Sequence, residues 1–191
     1  MMSARGLVVA LCGLVVTGCV GTADDSSESS PSTASTCNQS CQDNVVGYAL
    51  DETLWLLWNE HLAGRPSGNQ DTTAICPLRG SARISGTTGV ATNGINTANL
   101  TFELSDCANS NSSYSLSFSG TVTWNGTFSS TSANAITFRS NSLTIAGTVK
   151  RNDNPTVSET CGVALTDTYD KSTPGQRGWL DGELCGRTVV D

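Results

Sequence analysis

Beyond the N-terminal Cys12 and Cys19, six of the chain's eight cysteines, one histidine and a few acids are the residues that could do chemistry. Cys37, Cys41, Cys76, Cys107, Cys161 and Cys185 form an even set downstream of residue 36. They lack the close C-x-x-C pairs of a zinc site, and a single histidine does little to complete one. The set therefore points to three disulfides in an oxidising compartment. His61 follows Glu60. As a catalytic base it would need a nucleophile and an orienting carboxylate. No G-x-S-x-G elbow, H-E-x-x-H, P-loop or G-x-G-x-x-G after a strand accompanies it. Its place at the end of a helix suits it to the helix dipole instead. Glu103, Glu159 and Glu183 read as outward positions on strands and do not form a glycosidase-like pair. Asp167, Asp170, Asp181 and Glu183 are near enough in sequence to meet at a cation beside a C-terminal hairpin. They lack a D-x-D-x-D-G calcium loop, so a solvated acidic face is the plainer reading. No catalytic residue, metal or cofactor is expected.

The elements that would position the cysteines suggest how they pair. Arg79 to Thr87 and Ala98 to Leu104 alternate like strands, joined by the Gly- and Asn-containing stretch 89–96. Paired antiparallel, they bring Cys76, just before the first, opposite Cys107, just after the second. Cys161 and Cys185 lie symmetrically about residue 173, beside the turn-like Thr173-Pro174-Gly175. Each bridge would staple the open end of a hairpin, and Cys37 and Cys41 are left for each other.

Between Cys41 and Leu62, residues Val46, Leu50, Leu54, Leu57 and Trp58 follow a helical spacing widened by Val45, Ala49 and Trp55. This predicts a helix over 42–63, capped by Ser40 or Asp43 and stopped by Gly64-Arg65-Pro66. From Ala74 onward the texture turns to Ser, Thr, Gly and alternating apolar residues. Tyr114, Leu116, Phe118, Val122 and Trp124 share one strand face, followed by the hairpin signal Asn125-Gly126. Residues 136–138, 143–149, 163–168 and 179–189 supply further strands. The predicted class is α+β, mainly β: one N-terminal amphipathic helix packed on a curved antiparallel meander of six or seven strands, stapled by disulfides. Ile84-Ser85-Gly86-Thr87, Phe118-Ser119-Gly120-Thr121 and Ile145-Ala146-Gly147-Thr148 echo one another, and Leu180-Asp181-Gly182 partly repeats them. Glycine weakens a strand interior, so its recurrence signals either a bend or close approach, or only the chain's Gly- and Thr-rich composition.

The N-terminus carries the clearest signal of location. Met1 to Arg5 is short and basic, and Gly6 to Val16 is apolar and too short to span a bilayer. Val16-Thr17-Gly18-Cys19 then resembles the lipobox of bacterial lipoproteins. The resemblance implies that residues 1–18 are a signal peptide and that Cys19 receives lipid. It also implies attachment in the bacterial envelope, at the outer rather than the inner membrane, because Val20 is not an Asp. Residues 19–36 are anchor and tether: Val20 to Thr36 is rich in Ser, Thr, Asp and Glu and cannot bury enough surface to order itself. Residues 37–191 suit one domain.

The chain holds 10 Lys plus Arg against 17 Asp plus Glu, net −7, which argues against nucleic-acid binding. The expected function is that of a membrane-anchored envelope lipoprotein with a non-catalytic structural or interaction role. Its expected partners are the membrane, through the N-terminal lipid, and an envelope protein or an apolar ligand. A carrier of a small apolar ligand or lipid is the alternative, by fold-level analogy with periplasmic lipoprotein carriers, and a hydrolase is a distant third.

Overall fold

A computed structural model describes residues 36–90, 95–129, 134–169 and 178–190. These belong to one compact unit, Ala34–Asp191. The expected signal peptide, Cys19 and the tether up to residue 35 lie outside the described residues, as do Thr173-Pro174-Gly175 and Asp170.

The single helix among the described residues, α1, runs Gln39–His61. Asn38 caps it, accepting a hydrogen bond from the Cys41 N–H at 3.0 Å. The cap thus comes earlier than Ser40 or Asp43. The Cys37–Cys41 disulfide, with Cα atoms 5.3 Å apart, closes the first turn, and the Asp43 carboxylate is engaged elsewhere. The C-cap is Leu62, and Gly64 takes a left-handed φ of +80° before Pro66, the combination that ends helices.

Eight antiparallel strands follow in sequential order: β1 Gly68–Ile75, β2 Arg79–Val90, β3 Asn96–Ser110, β4 Tyr114–Phe128, β5 Asn134–Val149, β6 Thr156–Tyr169, β7 Trp179–Leu184 and β8 Arg187–Val189. Strand β1 has little apolar alternation, with Gln70 and Ala74 its buried positions, which is why the sequence reading undercounts the strands. Residues 136–138 and 143–149 are one strand with a register shift between Ser140 and Leu143. Residues 179–189 are a hairpin, turned by Cys185 and Gly186 at φ +54° and +71°. Asn125-Gly126 is not a turn. It lies inside β4, opposite Asn99 and Ala98 on one side and Thr137 and Ile136 on the other.

Strand alternation sorts the sheet into two faces. Inward lie Ile84, Leu100, Phe102, Val122, Trp124, Ile136, Phe138, Leu165 and Leu180, all buried. Outward runs a row, polar but for Ala164, in register across all eight strands, from Asp71 and Ser85 through Thr101, Thr123, Arg139, Ala164 and Glu183 to Thr188. The helix touches the first strand and the last as well as β3, β4, β5 and β7, so the sheet curls round it. At 100° per residue, the buried positions of α1 from Asp43 to Trp58 cover an arc of roughly 220°. This is wider than the one-sided stripe of a helix lying on a flat sheet.

The echoed glycines make that curl possible. Gly86, Gly120, Gly147 and Gly182 all have φ between +127° and +139°. Each sits directly opposite an inward leucine of a neighbouring strand: Leu100, Leu143, Leu116 and Leu165. A Cβ on Gly120 would stand 2.7 Å from the Ser142 carbonyl oxygen, and on the other three it would overlap backbone outright. The repetition is therefore structural: it marks where one strand's backbone is pressed on its neighbour's.

Candidate functional site

Wrapping a sheet round a helix carries some polar side chains into the interface, and these are the candidate site. Three clusters result. At the start of α1, Arg187 of β8 forms a bidentate pair with Asp43, Nε to Oδ2 at 2.8 Å and Nη2 to Oδ1 at 2.9 Å. Its Nη2 also donates to Glu159 at 2.8 Å, and Gln39 Nε2 donates to Asp43 Oδ1. The Asp43 side chain is only 4 % exposed. Hydrogen bonds to both carboxylates hold the Arg187 guanidinium more firmly charged than usual.

In the middle of α1, the Tyr114 hydroxyl donates to Glu52 Oε2 at 2.7 Å and accepts from Asn109 Nδ2 at 2.9 Å. Asn111 Nδ2 adds a second bond to Glu52, and Asn109 also reaches Thr53 Oγ1 at 3.3 Å. Burial first, then the Glu52 carboxylate, pushes the Tyr114 phenol well above its ordinary pKa. This group ties the β3–β4 turn to the helix.

The third cluster is the least satisfied. Asp51 on α1 and Asp167 on β6 are carboxyl neighbours under the helix. Burial is the main cause raising both pKa values, and for Asp51 the charges of Asp167 and Glu52 raise it further. The Trp55 indole opposes the rise at both. Asp51 Oδ1 is buried without a hydrogen-bond partner. Burial and mutual repulsion favour the protonated form of such a pair.

The sequence-predicted sites fare unevenly. Disulfides join Cys37 to Cys41, Cys76 to Cys107 and Cys161 to Cys185. Cys107 lies within β3, past the register shift between Leu104 and Cys107, and not beyond the strand's end. Glu103 and Glu183 point outward, but Glu159 does not. It lies opposite inward Ile145, on the helix side, and is bound by Arg187. Glu159 and the two sulfurs of the Cys161–Cys185 bridge lie within 4.8 Å of one another. The sulfurs are bonded to each other and the carboxylate to arginine, which leaves no ligand set free. Asp167 faces the helix opposite Leu180, whereas Asp181 and Glu183 face outward, so alternation keeps these acids apart. His61 has its Nε2 buried without a hydrogen-bond partner, 3.9 Å from Glu60.

The buried clusters escaped the sequence reading, yet they leave a signal in it. Asp43 falls on the buried side of α1 with half-buried Asp51 at its edge, and Asp167 continues the inward series Val163, Leu165 on β6. An acid inside an apolar stripe calls for a buried partner. On the outer face, at the β5 register shift, a polar recess of about 280 Å³ is lined by Arg139, Ser140, Asn141, Gly162, Glu183 and Gly186, among others. Compared with protein-family models, curated proteins and solved structures, the chain matches none.

Proposed function

We propose that this chain is a lipid-anchored envelope protein whose β domain has a non-catalytic structural or interaction role. One observation carries the reading: the concave side of the sheet, where a carrier would hold its ligand, is filled by the protein's own helix. Leu50, Leu54 and Leu57 are fully buried there, and Trp55 and Trp58 pack on Trp124 and Phe128 with ring centroids 4.9–5.6 Å apart. The polar groups around Arg187–Asp43 and Tyr114–Glu52 are likewise committed to one another. What the domain offers outward is a curved, polar, Thr- and Ser-rich face. The lipobox-like Val16-Thr17-Gly18-Cys19 and the polar segment behind it supply the anchor and tether of this reading.

Two measurements test it. Native mass spectrometry of the purified protein is expected to show no co-purifying lipid beyond the covalent anchor, whereas a stoichiometric apolar ligand would favour a carrier. Cys19→Ser, expressed behind an ordinary cleavable secretory signal in place of residues 1–18, is expected to release the protein from membranes without changing its melting temperature. Persistence on the membrane would defeat the anchor.

A further inference from the structure

In an antiparallel meander, alternate turns fall at one end of the sheet. The β1–β2, β3–β4, β5–β6 and β7–β8 turns therefore share an end here. The chain reaches the domain at that same end, because the Cys37 N–H donates to Asp153 of the β5–β6 turn at 3.4 Å. Ile75 and Leu78, on either side of Cys76 and Pro77, are 76 % and 57 % exposed there, an unusual display for two large aliphatic residues in one turn. Leu78 N–H is fixed to Ala108 O at 2.9 Å. Close by on the same hairpin, Ser110 Oγ and Asn111 O accept from Lys150 Nζ at 2.9 and 2.8 Å. Exposed Arg151 follows Lys150, and Arg79 adds a third cation beside Leu78, paired on the surface with Asp106. In a chain of net charge −7, this end joins two exposed aliphatic side chains to Lys150 and Arg151, with Asp153 in the same turn and Arg79 offset by Asp106, around the point where the chain enters the domain.

We infer that this end of the domain rests on an anionic lipid surface, with Ile75 and Leu78 dipping into the headgroup region and Lys150 and Arg151 against the lipid charge. The inference rests on the lipid-anchor reading, since a surface this small binds weakly alone. Anchored at Cys19, the domain follows after only 17 residues, which reach at most roughly 60 Å however they are disposed, so the local lipid concentration is high enough for a weak contact to persist. Each cation near an anionic surface strengthens partitioning roughly fivefold. This surface would orient the domain with its strands standing off the membrane and its polar outer face turned sideways along it.

The test uses the chain without its signal peptide, residues 19–191 carrying Cys19→Ser, and vesicles of phosphatidylcholine with or without phosphatidylglycerol. Weak binding to the anionic vesicles alone is expected, weakening as salt is raised. Lys150→Gln and Arg151→Gln should each lower it roughly fivefold, and Ile75→Ser with Leu78→Ser should abolish it. Val90→Ser, at the opposite end, should leave it unchanged. Equal binding to both vesicle types, or binding insensitive to Lys150→Gln and Arg151→Gln, overturns the proposal even should the aliphatic double variant fail to fold. So does binding of a purified envelope protein through Ile75 and Leu78 in place of lipid. Failure of the anchor reading shows separately, as a wild-type chain found in the soluble fraction of cells.

Discussion

Asp51 on α1 and Asp167 on β6 lie near enough for the Asp167 charge to oppose ionisation of Asp51, and burial makes the charged form of each unfavourable. Both folded-state pKa values are raised, so above the ordinary carboxyl range near 3.9 the folded state holds more protons than the unfolded chain. The stability this contributes is full below that range and is lost as pH rises through the folded values. Asp51→Asn should therefore melt higher than wild type at about pH 8, with the gap closing towards about pH 4. Calorimetry at both pH values checks this, and an equal offset at both would refute the charged-burial account.

The glycines at the bends are predicted to be intolerant. Gly147→Ala places a Cβ against the Ser115 carbonyl at φ +139°. A non-glycine residue in such a region costs roughly 1–3 kcal/mol before any clash. Gly162, on β6, has no left-handed φ, and a Cβ there would stand 3.6 Å from its nearest neighbour, an ordinary contact. Urea titration should separate Gly147→Ala, strongly destabilised, from Gly162→Ala, near wild type. If both behaved alike, sheet curvature would not depend on these positions.

Three bidentate arginine–aspartate pairs differ mainly in burial. Arg187–Asp43 has an acid side chain 4 % exposed, while in Arg79–Asp106 and Arg83–Asp71 every side chain is more than half exposed. Arg187→Met strands a buried carboxylate and should cost about 3–5 kcal/mol. Arg79→Met should cost at most about 1 kcal/mol, because its pair is screened by water. Similar losses in chemical denaturation would mean that Asp43 is hydrated or neutralised when Arg187 is gone.

The disulfides rank by the loops they close. Cys76–Cys107 and Cys161–Cys185 span 31 and 24 residues, and Cys37–Cys41 spans 4. Chain-entropy arguments assign about 3–4 kcal/mol to each long bridge and about 2 kcal/mol to the short one. Replacing both cysteines of each pair by serine and comparing melting temperatures should reproduce that order. A larger loss from the Cys37–Cys41 pair would mean that its role lies in fixing the start of α1 and not in loop closure.

Much of this architecture is legible in the residues, and where legibility ends is instructive. Period-two alternation in Tyr114, Leu116, Phe118, Val122 and Trp124 marks a strand because a sheet with one dry face demands it. The β1 segment lacks that mark, since Gln70 and Thr72 stand where apolar residues would. Asn125-Gly126 favours positive φ, and a local reading takes that preference for a turn. The same preference serves Gly126 inside β4, where its missing Cβ lets Ala135 O approach. The buried acids are hidden for a related reason: burial is a property of what packs above a residue, and that is set by strands more than a hundred positions away.

The sequence by itself determined a helix followed by a meander, because hydrophobic period and glycine spacing are local properties. It determined the lipobox-like Val16-Thr17-Gly18-Cys19 and the net acidity in the same way. Only the tertiary structure decided that the sheet closes round α1 far enough to occupy its own concave face. It also decided that Asp51 meets Asp167, that Arg187 reaches both Asp43 and Glu159, and that Ile75 and Leu78 share an end with Lys150, Arg151 and the start of the domain. Each of these joins residues distant in sequence through strand register and the direction of curl. Those depend on all eight strands at once, and no single segment encodes them.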